Sequence, residues 1–250
     1  DLSKVIDNLP NASVMMGVPT FYIRLLEDPK FNKFVAKNIR LFISGSAPLL
    51  EETHNRFETV TGHKILERYG MTETNMNSSN PYDGERRAGT VGFPLPGIDI
   101  KIIDLDNGHE LSHSQIGMIK IKGDNVFDGY WEMAEATNES FTRDGYFLTG
   151  DLGEFSQDGY LTIVGRNKDL IISGGLNIYP KEIELLIDSI LGVKESAVIG
   201  IENKDLGETV VAVIVLDRLE LTENDIFLDL KNKLANYKVP RKIIFIPELP

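Results

Sequence analysis

The sequence predicts an α/β layered region that gives way to mostly β structure and then to a small α+β unit. Residues 1–95 alternate strand-like apolar runs with stretches of helical period. Residues 96–166 consist of short alternating runs separated by Gly, Asp and Asn. From 167 onward a glycine pair, a helical stripe and two apolar runs follow in quick succession. At 250 residues, 42% hydrophobic and 26% charged, the chain has the balance of a globular protein able to bury a sizeable core.

The elements are justified in order. Residues 41–43, LFI, form a short apolar run that breaks into Ser44-Gly45-Ser46-Ala47-Pro48. A helical pattern follows, with Leu50, Thr53, Phe57 and Val60 on one face and Gly62 as its stop. KIL then leads into RYGMTET, Arg68 to Thr74, where glycine after a large aromatic suggests a sharp turn. GIDIKIID, GMIKIKG, GYFLTGDLGEF and GYLTIVGR read as antiparallel β structure, a small barrel or a distorted sheet. A domain boundary is expected at 166/167. Beyond it, LIIS runs into Gly174-Gly175, and Pro180 stands at a first helical position. Ile183, Leu186, Ile187 and Ile190 make a helical stripe closed by Gly192. Strands SAVIGI and VVAVIVL, a helix from Glu223 to Tyr237 and strand KIIFI complete the unit.

The formal net charge is −12 and no basic patch is visible, which argues against a nucleic-acid surface. Any anionic ligand must be held by backbone N–H groups, a metal or single cations. There is no cysteine, so disulfides, thiolate nucleophiles and zinc–thiolate sites are excluded together. No apolar run approaches the roughly 18 residues of a membrane span, and there is no signal-peptide pattern. The expectation is a soluble, cytoplasmic protein. The chain starts at Asp1 and stops at Pro250 just after a strand-like run, so a piece of a longer protein is expected.

Four loops carry polar chemistry. SGSAPL reads as a turn, or as a place where small residues let a planar ligand approach the backbone. In RYGMTET, Tyr69 could stack on a base, Thr72 could donate to a phosphate oxygen and Glu73 could hold Mg²⁺; a polar turn with a capping threonine is the competing reading. TGD, Thr149 to Asp151, places a carboxylate after a strand-like run, where it could accept from a ribose diol. GRNKD, Gly165 to Asp169, adds a guanidinium at the boundary. His54, His63, His109 and His113 form no metal-ligand spacing and are read as neither ligands nor bases.

In order, GSAPL, YGMTE, TGD, GRNKD and SGGLNIYPKEIE closely resemble motifs of the adenylate-forming enzymes: the acyl-CoA synthetases, adenylation domains and luciferases. The resemblance implies the later part of a large AMP-binding domain over 1–166, α/β layers plus a barrel-like β subdomain, and a small mobile C-terminal domain over 167–250. It implies ATP, Mg²⁺ and CoA as cofactors. Gly45, Ser46, Ala47 and Pro48 would line the adenine pocket with Tyr69, Gly70 and Met71. Thr72 would contact phosphate, and Glu73 would bind Mg²⁺. Asp151 and Arg166 would hold the ribose. Lys168 matches the hinge, and Gly174 and Gly175 the loop that passes the pantetheine arm. The family's upstream phosphate loop and its C-terminal lysine are not found, so these residues alone are expected to be inactive.

Within the family, VPTFYIRLL, NMNSSNPYDGERRAGTVG and NVFDGYW are most similar to malonyl-CoA synthetases. The implied substrate is malonate, or methylmalonate. Its second carboxylate needs a cation in a largely dry pocket. Arg24 and Arg86 are the candidates; Arg24 also reads as an exposed helix charge, and Arg87 rivals Arg86. The alternatives are a CoA ligase for another short or medium-chain acid and a non-catalytic AMP/ATP-binding module.

Overall fold

A computed structural model describes residues 2–217 and 221–249. The chain divides into two compact units, Asp1–Ile163 and Val164–Pro250. The division falls inside a strand, slightly ahead of the 166/167 boundary expected from sequence.

The first unit holds helices α1 (Leu2–Asn8), α2 (Pro19–Glu27), α3 (Lys33–Ala36), α4 (Glu51–Thr61) and α5 (Ala134–Ser140). Strands β1 (Val14–Gly17), β2 (Leu41–Ser44), β3 (Leu66–Met71), β4 (Asn75–Ser79) and β5 (Phe93–Pro94) form one sheet in sequence order. The β1–β2 and β2–β3 pairs are parallel, and the pairs that follow are antiparallel. Strands β6 (Asp99–Ile103), β7 (Gly117–Lys122), β8 (Phe147–Phe155) and β9 (Leu161–Arg166) form a second sheet, again in sequence order.

Helix α2 starts on Pro19, whose missing N–H and fixed φ suit a first turn. Its Tyr22 and Leu25 are fully buried. The Tyr22 hydroxyl donates to the Ile43 carbonyl at 2.6 Å, bracing the helix on β2. Helix α4 buries Thr53, His54, Phe57 and Thr61 and ends on Gly62 in the left-handed region. Phe57 meets Tyr22 and Phe42 edge-on at centroid distances of 5.3 and 4.9 Å. The expected stripe thus holds at Thr53 and Phe57. Leu50 becomes the N-cap residue instead.

The second unit contains β10 (Ile171–Ser173), β11 (Leu176–Ile178), α6 (Pro180–Asp188), β12 (Val193–Asn203), β13 (Gly207–Leu216), α7 (Glu223–Lys233) and β14 (Lys242–Phe245). The sheet order is β11–β10–β13–β12, with β14 parallel to β13. Ile183 and Ile187 from α6 and Ile226 and Leu230 from α7 share a core with Val198, Ala212 and Ile214. Thr222 caps α7 in a reciprocal capping box with Asp225. Two expectations change here. The α6 helix ends at Asp188, so Ile190 lies beyond it. The last helix ends at Lys233 rather than Tyr237, because Leu234 takes an extended backbone that turns its side chain onto this core.

Candidate active site

RYGM is strand, not turn. It is the end of β3, and the reversal into β4 is made by Thr72, Glu73 and Thr74. Gly70 is required by close approach: a Cβ there would stand 2.0 Å from the Asn75 carbonyl oxygen. At this crossing the β3–β4 register shifts between Tyr69 and Gly70.

Thr72 is exposed and Glu73 is half-buried. A segment distant in sequence grips this turn. Asn125 Nδ2 donates to the Thr74 carbonyl at 2.5 Å, and the Phe127 N–H donates to the Glu73 carbonyl at 2.8 Å. The Tyr130 hydroxyl donates to Glu73 Oε1 at 3.1 Å. Desolvation, then the Glu73 carboxylate, raises the Tyr130 pKa. Sequence reasoning missed Tyr130; its place in NVFDGYW carried no sign of a carboxylate partner.

Asp151 lies in the middle of β8 rather than after a strand, and it is 4% exposed. The Tyr69 hydroxyl donates to its Oδ2 at 2.5 Å. Its N–H donates to Thr149 Oγ1 at 3.0 Å, while the Thr149 hydroxyl donates to the Ile119 carbonyl at 2.9 Å. Tyr69 and Asp151, far apart in sequence, are thus brought together.

A cleft of about 240 Å³ opens beyond the carboxyl ends of the parallel strands. Met16 and Gly17 line it from the end of β1 with Val18 just after, Ile43, Gly45 and Ser46 around the end of β2, and Arg68, Gly70 and Met76 from the hairpin. A Cβ at Gly45 would stand 3.3 Å from the Arg68 carbonyl oxygen and 3.4 Å from its Cγ, so the loop after β2 packs closely on the arginine. Ser46 sits in the left-handed region at φ 69°. Ala47 and Pro48 are exposed and are not among the lining residues.

The cation in the cleft is Arg68, and its guanidinium makes no hydrogen bond or ion pair among the described residues. Neither Arg24 nor Arg86 lines the cleft. Arg24 is exposed on the last turn of α2. Arg86 donates to the Pro81, Lys64 and Tyr82 carbonyls at 3.3, 2.9 and 3.0 Å, tying a loop to the chain. Arg87 pairs with Asp158 at 2.7 Å.

On the opposite side of β3, Glu67 and His54 are buried at 5% and 2% exposure. His54 Nδ1 approaches Glu67 Oε1 at 3.4 Å without a formed hydrogen bond. Gly89 N–H donates to the same oxygen at 3.2 Å. Burial raises the Glu67 pKa; His54 and Gly89 oppose that rise without cancelling it.

In the second unit Arg166 ends β9 and is exposed, as is Lys168 in the turn Asn167–Asp169. Gly174 and Gly175 form the two-residue loop joining β10 to β11, at φ 58° and 76°. Both positive angles are the signature of a type I′ turn. Space is not what Gly175 needs, since a Cβ there would meet nothing within 4 Å.

No group of three or more His, Cys, Asp or Glu among the described residues could hold a metal by itself. The donor set at the turn is one half-exposed carboxylate, with Glu73 Oε2 outside the Tyr130 hydrogen bond. That suits Mg²⁺, which takes one or two carboxylates and completes its shell with substrate phosphates and water.

The AMP-binding enzyme family matches residues 4–131, and the AMP-binding enzyme C-terminal domain matches residues 182–250. Malonate–CoA ligase of Arabidopsis thaliana is 40% identical over 258 residues, covering 95% of this chain and 42% of that protein. A long-chain-fatty-acid–CoA ligase of Bacillus subtilis is 37% identical over 251 residues, covering 99% and 44%. The crystal structure of ATP-bound MatB from Rhodopseudomonas palustris is 53% identical, with a TM-score of 0.96 over 100% of this chain and 50% of that one. The chain therefore spans about half the length, or less, of the relatives it matches. The match to more than half of its residues, on a fold and hairpin of the expected kind, establishes that this chain belongs to the AMP-binding enzyme family.

Proposed function

We propose that the full-length protein carrying this chain is an AMP-forming acid–CoA ligase for a short dicarboxylic acid, with malonate first. The observation that carries the acid specificity is Arg68, the one charged residue among the cleft's lining, which it shares with Met16, Val18, Ile43, Met76, Ser46 and three glycines. A neutral acyl chain has no use for that cation. A dicarboxylate does, because its far carboxylate needs a bidentate partner once out of water. The 40% identity to malonate–CoA ligase of Arabidopsis thaliana supports the same reading.

In the first half-reaction the substrate carboxylate attacks the α-phosphorus of ATP, releasing pyrophosphate and leaving acyl-AMP. Arg68 orients the acid by its far end, so that binding energy is used for alignment. Asp151, held by Tyr69, presents a carboxylate for the ribose hydroxyls. Thr72, exposed at the hairpin, donates to phosphate. Glu73 would hold Mg²⁺, which supplies neutralisation of the triphosphate charge. In the second half-reaction the CoA thiol displaces AMP and the thioester forms. Lys168 as hinge, Arg166 at the nucleotide and the Gly174–Gly175 loop beside the pantetheine are assigned from the family resemblance.

A substrate panel on the full-length protein tests this. Malonate-dependent pyrophosphate release and thioester formation are expected to exceed those with acetate, butyrate and octanoate. Equal activity across the panel would overturn the dicarboxylate reading.

A further inference from the structure

We propose that Tyr130 is a positioning residue for Glu73: its hydroxyl selects the carboxylate oxygen that the protein keeps, leaving the other for the cation. The inference rests on the reading of Glu73 as the magnesium ligand given above. Glu73 projects from a three-residue turn on an unbranched side chain, and such a side chain loses much rotamer freedom when ordered. At the Tyr130 hydroxyl, 3.1 Å from Oε1, that ordering is done before any ligand arrives. The phenol is itself fixed. Its ring stands edge-on to Phe127 at 4.8 Å and 76°. The Tyr130 N–H donates to Thr137 Oγ1 at 2.9 Å. Phe127 N–H holds the Glu73 carbonyl, so one segment grips both the backbone and the side chain of the same residue. Asn75 Nδ2 reaches back to the Asn125 carbonyl at 3.3 Å and closes the clamp. With Oε1 occupied, Glu73 presents Oε2 as a single oxygen, the form in which Mg²⁺ takes a carboxylate.

The test compares the full-length wild type with Tyr130→Phe and Glu73→Gln. ATP binding is measured by calorimetry with and without Mg²⁺, and Mn²⁺ binding in the presence of ATP by electron paramagnetic resonance. Outer partners of metal ligands are worth roughly 10- to 100-fold in metal affinity. Tyr130→Phe is therefore expected to weaken cation-dependent ATP binding about 10-fold. Metal-free ATP binding and the melting temperature are expected to stay unchanged, because the ring and its packing remain. Wild-type cation affinity in Tyr130→Phe, alongside a loss in Glu73→Gln, would overturn the role of Tyr130 alone. Wild-type cation affinity in Glu73→Gln would remove the ligand assignment and the positioning role with it. Equal weakening with and without Mg²⁺ would reduce Tyr130 to general packing and overturn the proposal.

Discussion

Replacing Arg68 by methionine takes the charge out of the cleft and leaves an unbranched side chain in its place. Because the guanidinium has no hydrogen bond or ion pair among the described residues, its removal strands no buried partner. The fold should be left as it is, with a stability change within about 0.5 kcal/mol, as for substitutions away from structural contacts. The far carboxylate of malonate would lose a hydrogen-bonded charge pair. Such bonds contribute about 1.5–3 kcal/mol. That converts to an increase of about 10- to 150-fold in the malonate KM, at 1.4 kcal/mol for each factor of ten. Arg68→Lys should fall between, since a point charge replaces the planar fork. The assay is the steady-state KM of the full-length protein for malonate, propionate and ATP. Propionate, which has no second carboxylate, and ATP should be unaffected by Arg68→Met. An unchanged malonate KM, or the same increase for propionate, would refute the assignment of Arg68 to the acid.

Two further changes probe the scaffold. Gly70→Ala puts a methyl 2.0 Å from the Asn75 carbonyl oxygen, so the β3–β4 crossing must open. A cost of about 3 kcal/mol is expected from this overpacking, and a thermal melt indistinguishable from wild type would contradict it. Glu67→Gln addresses pH. Burial lifts the Glu67 pKa above its ordinary 4.5, so above that pH the folded chain holds the proton more firmly than the unfolded chain. The contribution of Glu67 is then fully present below 4.5 and is lost as pH rises through the folded-state pKa. Urea melts from pH 4 to pH 7 should show Glu67→Gln gaining on wild type as pH increases. Parallel curves would exclude the linkage.

What could be read from sequence was local. Pro180 at a first helical turn, Gly62 as a helix stop and the glycine pair at 174–175 each declare a backbone conformation through their own covalent chemistry. Partners remote in sequence could not be read. Arg68 looks like any strand arginine until the ends of β1 and β2 come round it, and Arg86 looks free until its donors meet three carbonyls. Asp151 reads from sequence as a candidate ribose acceptor after a strand-like run, but not as a residue inside a strand with a tyrosine hydroxyl on it. His54 is a core residue facing Glu67, a role that the period of its helix could not distinguish from solvent exposure.

The register Gly17↔Ser44 and Ser44↔Glu67 ends β1 and β2 level with each other, and β3 runs on past them from Arg68 to Met71 into the β3–β4 reversal. The walls of the cleft are carried at the ends of β1 and β2, on the residues that follow them and on the two strands of the β3–β4 hairpin, while Phe42, Phe57 and Ile65 hold the fold from a separate fully buried cluster. This separation gives the site evolutionary latitude. Exchanges at Met16, Val18 or Met76 can reshape the cleft without opening a cavity in that cluster, so a small set of substitutions could change what it accommodates while the fold stays as it is.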